Sequence, residues 1–282
     1  MGTSVVILTK NSEATIRDCL GSVSQNNPQE IIIVDGYSTD KTMDIVKKYT
    51  SKIYFDENKG ICHARQLGAE MATEEYIFYV DSDVILPPNT VETMLTQLKM
   101  KGYGAITART ILRGGSGYLT WAYTRYRNVV NPERPGEKKA TIPMKATIFP
   151  QELVLKYQFD LSTPNWDDAS MSHRLIENGH KIAVSSAHIY HCYSPDRKHR
   201  GAYWVGVATA ESFLKYKKSP ALVIKYTLLR GLGSPIQGLL LSIAKGEPRL
   251  IPCFIYIFLV QAAGFVSRLL SALLGKFRWA KS

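Results

Sequence analysis

Short apolar runs alternate with amphipathic stretches over the first part of the chain. The runs are four to six residues long and rich in Val, Ile, Tyr and Phe, which favours buried strands. They span residues 4–9, 30–34, 52–55, 76–80 and 104–109. Between them, apolar side chains recur at helical spacing, as in Ile16, Leu20 and Val23 after Ser12, a predicted N-cap. This alternation predicts an α/β fold whose mostly parallel sheet is flanked by helices.

The pattern after residue 110 is less regular. A glycine-rich turn at 114–117 precedes the segment 118–127, which combines four aromatic residues with two arginines. As a helix this segment would suit a membrane headgroup interface, and the alternative is an aromatic helix packed on the domain. Apolar runs at 141–149 and 181–185 predict two more strands, separated by a helix that begins near Asp167 and ends at Gly179.

The run at 76–80 ends in two carboxylates, Asp81 and Asp83. Carboxylates this close repel each other unless a cation or a polar ligand lies between them. The carboxyl edge of an open α/β sheet is also where ligands bind. Mg²⁺ and Mn²⁺ take oxygen ligands, usually one or two carboxylates plus substrate phosphates. The pair therefore predicts a divalent-cation site, and the alternative is a turn that only caps the next helix.

Four motifs in this region stand in a fixed order. Residues 8–13 read LTKNSE, residues 34–40 read VDGYSTD, residues 58–68 read NKGICHARQLG, and residues 81–83 read DSD. In this order and spacing they resemble the nucleotide-sugar glycosyltransferases of family 2, which have the GT-A fold. The chain departs from the family pattern at Leu8, where Pro is usual, at Gly36, where a second Asp is usual, and at Gln66, where Asn is usual.

The resemblance implies a nucleotide-sugar site in the first half of the chain. Its predicted residues are Thr9, Asn11, Glu13, Asp35, Lys59, Arg65, Asp81 and Ser82. Asp35 can accept a hydrogen bond from a base N–H or a ribose hydroxyl, and Arg65 can make bidentate phosphate or base contacts. The alternative for Arg65 is a solvated helix residue.

The resemblance also implies a cation site and a catalytic carboxylate. Asp83 would coordinate Mn²⁺ or Mg²⁺ directly, and Asp81 would face the ribose and the ion. His191 or else His188 would help to hold the ion or the pyrophosphate, and the alternative is that both are ordinary surface residues. Asp168, preceded by Asp167, matches the family's general base. The structural alternative for both aspartates is a favourable interaction with the helix dipole. Two arginines in a predicted loop, Arg197 and Arg200, could clamp the diphosphate.

Positive charge is concentrated in the last third of the chain. Residues 1–196 carry 21 Lys and Arg against 22 Asp and Glu, whereas residues 197–282 carry 14 against 2. The same third is the most apolar, which favours an anionic membrane surface over nucleic acid as its partner. The four scattered cysteines favour a reducing compartment, and no signal peptide is apparent before the first strand.

Two apolar segments, 221–244 and 250–274, predict a helical hairpin closed by residues 245–249. The second is long enough to span a bilayer, whereas the first is interrupted and could re-enter or lie in the interface. A buried helical pair in a soluble domain is the alternative. We therefore expect a nucleotide-sugar-binding half at 1–112, an acceptor-binding and catalytic half of the same domain at 113–215, and membrane-associated helices at 216–282.

The predicted activity is that of an inverting, metal-dependent glycosyltransferase at the membrane. Its donor would be a UDP- or GDP-sugar, and its acceptor a hydroxyl of a lipid-linked glycan. Its catalytic part would face the cytoplasm, where nucleotide sugars are available. Direct glycosylation of a polyprenyl or dolichyl phosphate is the first alternative. A sugar nucleotidyltransferase and a non-catalytic nucleotide-sugar-binding membrane protein are alternatives from other classes.

Overall fold

The computed structural model describes residues 2–114, 117–139, 141–161, 167–193, 203, 205–207, 209–210 and 233–273. The chain divides into two compact units. The α/β unit comprises residues 1–112 and 133–192, and the second unit comprises residues 113–132 and 193–282. Arg197, Arg200 and residues 221–232 of the first apolar segment lie outside the described residues.

The described strands form one sheet of nine strands, which is the framework of the α/β unit. They are β1 (Thr3–Thr9), β2 (Glu30–Asp35), β3 (Ile53–Phe55), β4 (Tyr76–Asp81), β5 (Val84–Ile85), β6 (Ala105–Gly114), β7 (Gly136–Lys138), β8 (Ala146–Pro150) and β9 (Ile182–Tyr193). Their order across the sheet is β3-β2-β1-β4-β8-β6-β9-β5, and β7 pairs with β9.

The first four strands are parallel, as predicted. Strand β1 pairs with β2 and β4, and β2 pairs with β3. Beyond β4 the pairings of β8 with β4 and β6, and of β9 with β5 and β7, are antiparallel. The predicted α/β class is confirmed, but the sheet is mixed. An apolar run has the same pattern in either strand direction, so the sequence could not show this difference.

Helices cover both faces of the sheet. Those of the α/β unit are α1 (Ile16–Ser24), α2 (Thr42–Val46), α3 (Ile61–Met71), α4 (Thr90–Lys101), α6 (Gln151–Tyr157) and α7 (Asp167–Glu177). Alternate residues of β1 enter different clusters: Val5 and Ile7 pack with α1 and α4, whereas Val6 packs with α3 and α7. This alternation is the period-2 geometry of a strand buried on both sides.

Several predicted boundaries differ from the structure. Helix α1 begins at Ile16 and not after Ser12, and Ser12 is buried and bonded to Thr42 at the start of α2 and to Ser82 in the turn after β4. Strand β8 covers only the end of the predicted run at 141–149. Strands β6 and β9 extend well beyond their predicted ends at 109 and 185. The extension of β9 carries His191 into the sheet.

Three helices of the second unit have described bounds, and residues 203, 205–207 and 209–210 are also helical. The three are α5 (Tyr118–Arg125), which continues as a π-helical turn (Tyr126–Val130), α8 (Gly233–Ala244), and α9 (Ile251–Leu273), which follows a 3-10 turn (Pro248–Leu250). Helices α8 and α9 form the predicted hairpin within the described residues. The aromatic segment packs on it: the rings of Tyr126 and Phe254 lie edge to face with centroids 4.6 Å apart, and the Tyr118 hydroxyl donates to the Arg249 carbonyl.

Glycines allow close backbone approach in the second unit. A Cβ added at Gly264 would lie 2.1 Å from the carbonyl oxygen of Tyr203, and one added at Gly206 would lie 1.9 Å from that of Gln261. The Tyr203 hydroxyl also donates to Ser267 Oγ at 3.0 Å. Close glycine contacts with a hydrogen bond between helices are typical of helix packing in membranes.

Candidate active site

Arg65 is the centre of the candidate site. It lies on α3 and is only 2% exposed. Its Nε donates to Asp167 Oδ2 at 2.6 Å, and its Nη2 lies 3.3 Å from Asp81 Oδ1. Burial alone would lower the pKa of Arg65, but the charges of Asp167 and Asp81 raise it above its ordinary value. One buried cation therefore joins the end of β4 to the start of α7.

Tyr79, which was not predicted as a site residue, supports this cation. Its hydroxyl donates to the Arg65 carbonyl at 2.8 Å, and the guanidinium lies over its ring, 5.3 Å from the centroid. The signal was present in the sequence, since a tyrosine inside a buried strand needs a hydrogen-bond partner. Arg65 is not a solvated helix residue. Its Nη1 is buried and has no hydrogen-bond partner in the structure, so the predicted phosphate or base contact stays a prediction.

Asp83 and His191 lie side by side at the candidate cation site. The turn after β4 leads into β5, where Val84 pairs with His191 of β9. His191 Nε2 lies 3.2 Å from Asp83 Oδ1, and both side chains are largely buried. His191 Nδ1 is buried without a hydrogen-bond partner. His188, the alternative candidate, instead packs its ring against that of Tyr190, with centroids 5.2 Å apart.

The spacing of Asp83 and His191 would suit two neighbouring ligands of a divalent cation. Cis ligands of an octahedral ion with bonds of 2.0–2.1 Å are about 3.0 Å apart, close to the separation of these two atoms. Within the described part of the chain, no group of three or more His, Cys, Asp or Glu side chains is arranged to hold a metal. At such a site, diphosphate oxygens and water would supply further ligands.

Asp168 differs from Asp167 although the two are neighbours in the first turn of α7. Asp167 is paired with Arg65, whereas the described residues give Asp168 no ion pair. Asp168 Oδ1 accepts the Ala169 N–H at 2.7 Å. Burial and the charge of Asp167 raise the pKa of the Asp168 carboxyl above its ordinary value. A raised pKa makes this carboxylate a better proton acceptor than an ordinary aspartate.

Three loops at the carboxyl edge of the sheet are connected by hydrogen bonds. The Asn11 side chain accepts the Thr39 N–H at 2.8 Å, and the Glu13 side chain accepts the Lys41 N–H at 3.1 Å. Ser12 Oγ lies 2.9 Å from Ser82 Oγ, which ties the first loop to the turn that carries Asp81 and Asp83. Asn11, Glu13 and Ser82 thus hold the edge together, and their predicted donor contacts remain predictions.

Asp35 and Thr9 lie deeper at the same edge. Both Asp35 oxygens are engaged by Ser38, whose N–H donates to one at 2.8 Å and whose hydroxyl donates to the other at 2.6 Å. Thr9 pairs with Asp35 across the sheet, and its hydroxyl is buried without a hydrogen-bond partner. Lys59, by contrast, is well exposed and pairs with Glu57 at 2.5 Å. The structure brings Asp35 and Thr9 together but shows no contact of Lys59 with them.

The chain is similar to known proteins in sequence and in fold. Residues 4–157, more than half of the chain, match the family model of glycosyl transferase family 2. GlyG, a glycosyltransferase of Streptococcus pneumoniae, is 33% identical over 106 residues, which are 35% of this chain and 35% of GlyG. The chain thus spans about a third of the length of this curated relative, and a similar or smaller share of others that it matches.

Two solved structures share the fold along almost the whole chain. TarS of S. aureus (residues 1–349) superposes with a TM-score of 0.56 at 18% identity, over 99% of this chain and 93% of that one. The mannosyltransferase PcManGT of Pyrobaculum calidifontis, in complex with GDP-Man and Mn²⁺, gives a TM-score of 0.61 at 15% identity, over 98% and 88%. These likenesses establish the GT-A fold, and with the match over residues 4–157 they show that this chain belongs to glycosyl transferase family 2.

Proposed function

We propose that this chain is an inverting glycosyltransferase that moves a sugar from a nucleoside-diphosphate sugar to a hydroxyl of a lipid-linked glycan. One observation carries the proposal: a single buried guanidinium contacts both Asp81, beside the candidate cation pair, and Asp167, beside the candidate base. Sugar transfer requires the donor site at Asp81 and Asp83 to lie close to the acceptor site at Asp167 and Asp168. Arg65 supplies that connection.

The donor would lie along the carboxyl edge of β1, β2 and β4. The pairing of Thr9 with Asp35 and of Leu8 with Asp81 places the ends of these strands level with one another. Structures of TarS have been solved with UDP and with UDP-GlcNAc, and PcManGT with GDP-Man. These neighbours support a UDP- or GDP-sugar donor for this chain.

Asp83 and His191 would hold Mn²⁺ or Mg²⁺, with Asp81 facing the ion and the ribose. The bound ion would neutralise the charge that develops on the departing diphosphate. Asp83 is fixed for this role because its carbonyl accepts the Cys192 N–H at 2.9 Å. PcManGT, which carries Mn²⁺ together with its donor, supports the choice of a divalent ion.

Asp168 would take the proton from the acceptor hydroxyl. Its raised pKa suits a base that must hold a proton in the transition state. Asp167 would act as a positioning residue, because its pairing with Arg65 orients the first turn of α7. The attack of the acceptor oxygen and the departure of the diphosphate on the opposite face would invert the anomeric centre.

A general base favours a hydroxyl acceptor over a phosphate acceptor. A phosphate monoester has a second pKa of about 6, so it is ionised near neutral pH and needs no base. A carboxylate beside it would also repel it. A sugar hydroxyl, by contrast, becomes a good nucleophile only when a base accepts its proton. Transfer to a bare polyprenyl phosphate is therefore the second candidate.

The second unit would attach the enzyme to a membrane. Within the described residues, Pro248–Ser271 is long and apolar enough to cross a bilayer. Along α9 the exposed side chains Ile255, Leu259, Ala263, Val266 and Leu270 form one apolar stripe. Over about 22 Å this stripe presents no charge to solvent. With the cationic last third of the chain, it suits an anionic leaflet facing the cytoplasm.

One assay separates these candidates. The full chain in detergent, with Mn²⁺, is given UDP- or GDP-sugars and either a lipid-linked sugar or a bare polyprenyl phosphate. We expect release of nucleoside diphosphate that is stimulated by the lipid-linked sugar, together with a glycosylated product. Productive transfer to the bare phosphate alone would favour the second candidate. Conversion of the nucleotide sugar and added pyrophosphate to nucleoside triphosphate and sugar 1-phosphate would indicate a nucleotidyltransferase, and donor binding without turnover would indicate a non-catalytic protein.

A further inference from the structure

Arg109 is a half-buried arginine that makes no ion pair within the described residues. It lies on β6, and its Nε is buried without a hydrogen-bond partner. Glu133 accepts the N–H of the next residue, Thr110, at 2.7 Å, and does not contact the guanidinium. Arg65 and Arg125, by contrast, both contact carboxylates. Removing a charge from water without pairing it is costly, so such a position suits the binding of an anion.

The strand register places Arg109 level with the candidate active site. Strand β8 is antiparallel to both β4 and β6, so that Tyr79 and Thr107 lie level with each other across it. Two residues further along both strands, the same register sets Arg109 level with Asp81. The Asp81 N–H donates to the Lys145 carbonyl at 2.9 Å, which extends the contact of β4 with the chain before β8 to this level. Two strand spacings, or about 10 Å, therefore separate Arg109 from Asp81.

Arg109 is also on the face of the sheet that carries the candidate base. Ile106 and Ala108 pack in the cluster that contains α1 and α4, so the alternation of the strand turns Arg109 to the opposite face. Tyr79 packs on that opposite face, in the cluster that contains α3 and α7. Because the first turn of α7 contains Asp168, the guanidinium and the candidate base share one face of the sheet.

Other buried polar atoms without a partner lie at the same edge of the sheet. Within the described residues of the α/β unit, five side chains have such an atom: Thr9, Arg65, Arg109, Thr110 and His191. Thr9 ends β1, Arg65 contacts Asp81, and His191 lies beside Asp83. Unpaired polar groups are rare inside proteins, so a group of them is expected where a polar ligand binds. Arg109 belongs to this group.

The position of β6 favours an anion of the acceptor over the diphosphate of the donor. The proposed donor lies along β1, β2 and β4, and β6 is on the other side of β4 from β1 and β2. The cation at Asp83 and His191 would neutralise the diphosphate. A lipid-linked sugar carries a phosphate between its lipid and its sugar. Arg65 is not available for that phosphate, because its guanidinium already contacts Asp81 and Asp167.

We propose that Arg109 binds the phosphate of the lipid-linked acceptor. A guanidinium donates two parallel hydrogen bonds to phosphate oxygens, and the Nε of Arg109 is available for one of them. The acceptor sugar separates this phosphate from the accepting hydroxyl, so Arg109 holds one end of the acceptor while Asp168 acts on the other. The inference rests on the proposed function and adds the residue that recognises the charge of the acceptor.

The test is calorimetric binding of farnesyl phosphate, farnesol, UDP and GDP to the full chain in detergent with Mn²⁺. Farnesyl phosphate and farnesol have the same lipid chain and differ only in the phosphate. Arg109→Gln and Arg109→Lys are compared with the wild type, and Arg17→Gln, on the exposed side of α1, is the control. Arg109 has no ion pair to lose within the described residues, so Arg109→Gln should not lower the melting temperature.

We expect the wild type to bind farnesyl phosphate more tightly than farnesol. Arg109→Gln should weaken farnesyl phosphate about 10- to 100-fold and leave the binding of farnesol, UDP and GDP unchanged, which also shows that the variant is folded. Arg109→Lys should lose less, because it keeps the charge without the paired geometry, and Arg17→Gln should change nothing.

Unchanged binding of farnesyl phosphate by Arg109→Gln would overturn the proposal and leave the proposed function intact. Weaker binding of UDP or GDP by this variant, with farnesyl phosphate unaffected, would overturn it in favour of a contact with the donor diphosphate. A wild-type chain that binds neither UDP nor GDP would contradict the proposed function itself, whatever the effect of Arg109→Gln on farnesyl phosphate.

Discussion

Arg65 in the α/β unit and Arg125 in the second unit each contact a carboxylate, but at very different depths. Arg65 is 2% exposed and contacts both Asp167 and Asp81. The Arg125 side chain is 44% exposed and contacts Glu247 through Nε at 3.0 Å and through Nη2 at 2.5 Å. The Arg65 contacts lie among buried strands and helices. The Arg125–Glu247 pair is open to solvent, so water can solvate both side chains when the pair breaks.

The comparison shows what stabilises each unit. Removing one partner of a buried pair leaves an uncompensated charge, which is costly. An exposed pair contributes little, because solvent and salt screen it. The α/β unit therefore depends on its ion pair, which also organises the candidate active site. The second unit depends instead on aromatic and glycine contacts, such as Tyr126 with Phe254 and Gly264 with Tyr203.

The largest effect is expected for Arg65→Met. It leaves Asp167 buried without its cation and should lower the free energy of unfolding by about 3–5 kcal/mol. Thermal or urea unfolding measures the loss, with Arg17→Met on the exposed side of α1 as the control. Adding Asp167→Asn to Arg65→Met should recover a large part of the stability. A cost below about 1 kcal/mol for Arg65→Met would show that the pair is not buried as described.

A smaller effect is expected for Gly264→Leu in the second unit. The new side chain would meet the backbone of Tyr203, so the helices must separate, at a cost of about 1–3 kcal/mol. Thermal unfolding in detergent and limited proteolysis measure the change. The adjacent Ala263→Leu is the matched control, because Ala263 is exposed on the apolar stripe. Equal stability of the two variants would contradict the close glycine contact.

The smallest effect is expected for Arg125→Gln. Loss of this exposed pair should change the free energy of unfolding by about 1 kcal/mol or less. The difference from wild type should shrink further in high salt, since salt screens exposed charges. Glu247→Gln should behave in the same way. If Arg125→Gln lowered the free energy of unfolding as much as Arg65→Met does, and independently of salt, the contrast between the two units would be contradicted.

The local pattern of apolar residues was sufficient to predict the strand that ends at Asp81 and is followed by Asp83. A run of β-branched and aromatic residues that ends abruptly in two carboxylates places both at the ligand-binding edge of the sheet. The parallel pairing of β1, β2 and β4 then places Thr9 opposite Asp35, and Asp81 opposite the adjacent Leu8. The periodicity of apolar residues and the order of the strands along the chain were therefore sufficient to predict this part of the site.

The partners of Arg65 could not be predicted in this way. Asp167 is 102 residues away in the sequence, and no periodicity relates the two positions. The helix dipole favours Asp167 and Asp168 alike, so only the tertiary contact distinguishes the paired carboxylate from the one with the raised pKa. His191 likewise reaches Asp83 only because β9 continues past its predicted end.

The most direct test of the account is transfer to a sugar-hydroxyl acceptor by Asp168→Asn, measured across pH. The rate should fall about 10²–10⁴-fold while donor binding stays as in the wild type. Asp18→Asn, on the exposed side of α1, is the control. The wild-type rate should decline in acid at a pH above 3.8, the ordinary pKa of Asp, because burial raises the pKa of Asp168, and this decline should be absent in the variant. Transfer by Asp168→Asn at the wild-type rate, with the same acid decline, would contradict the assignment of Asp168 as the base.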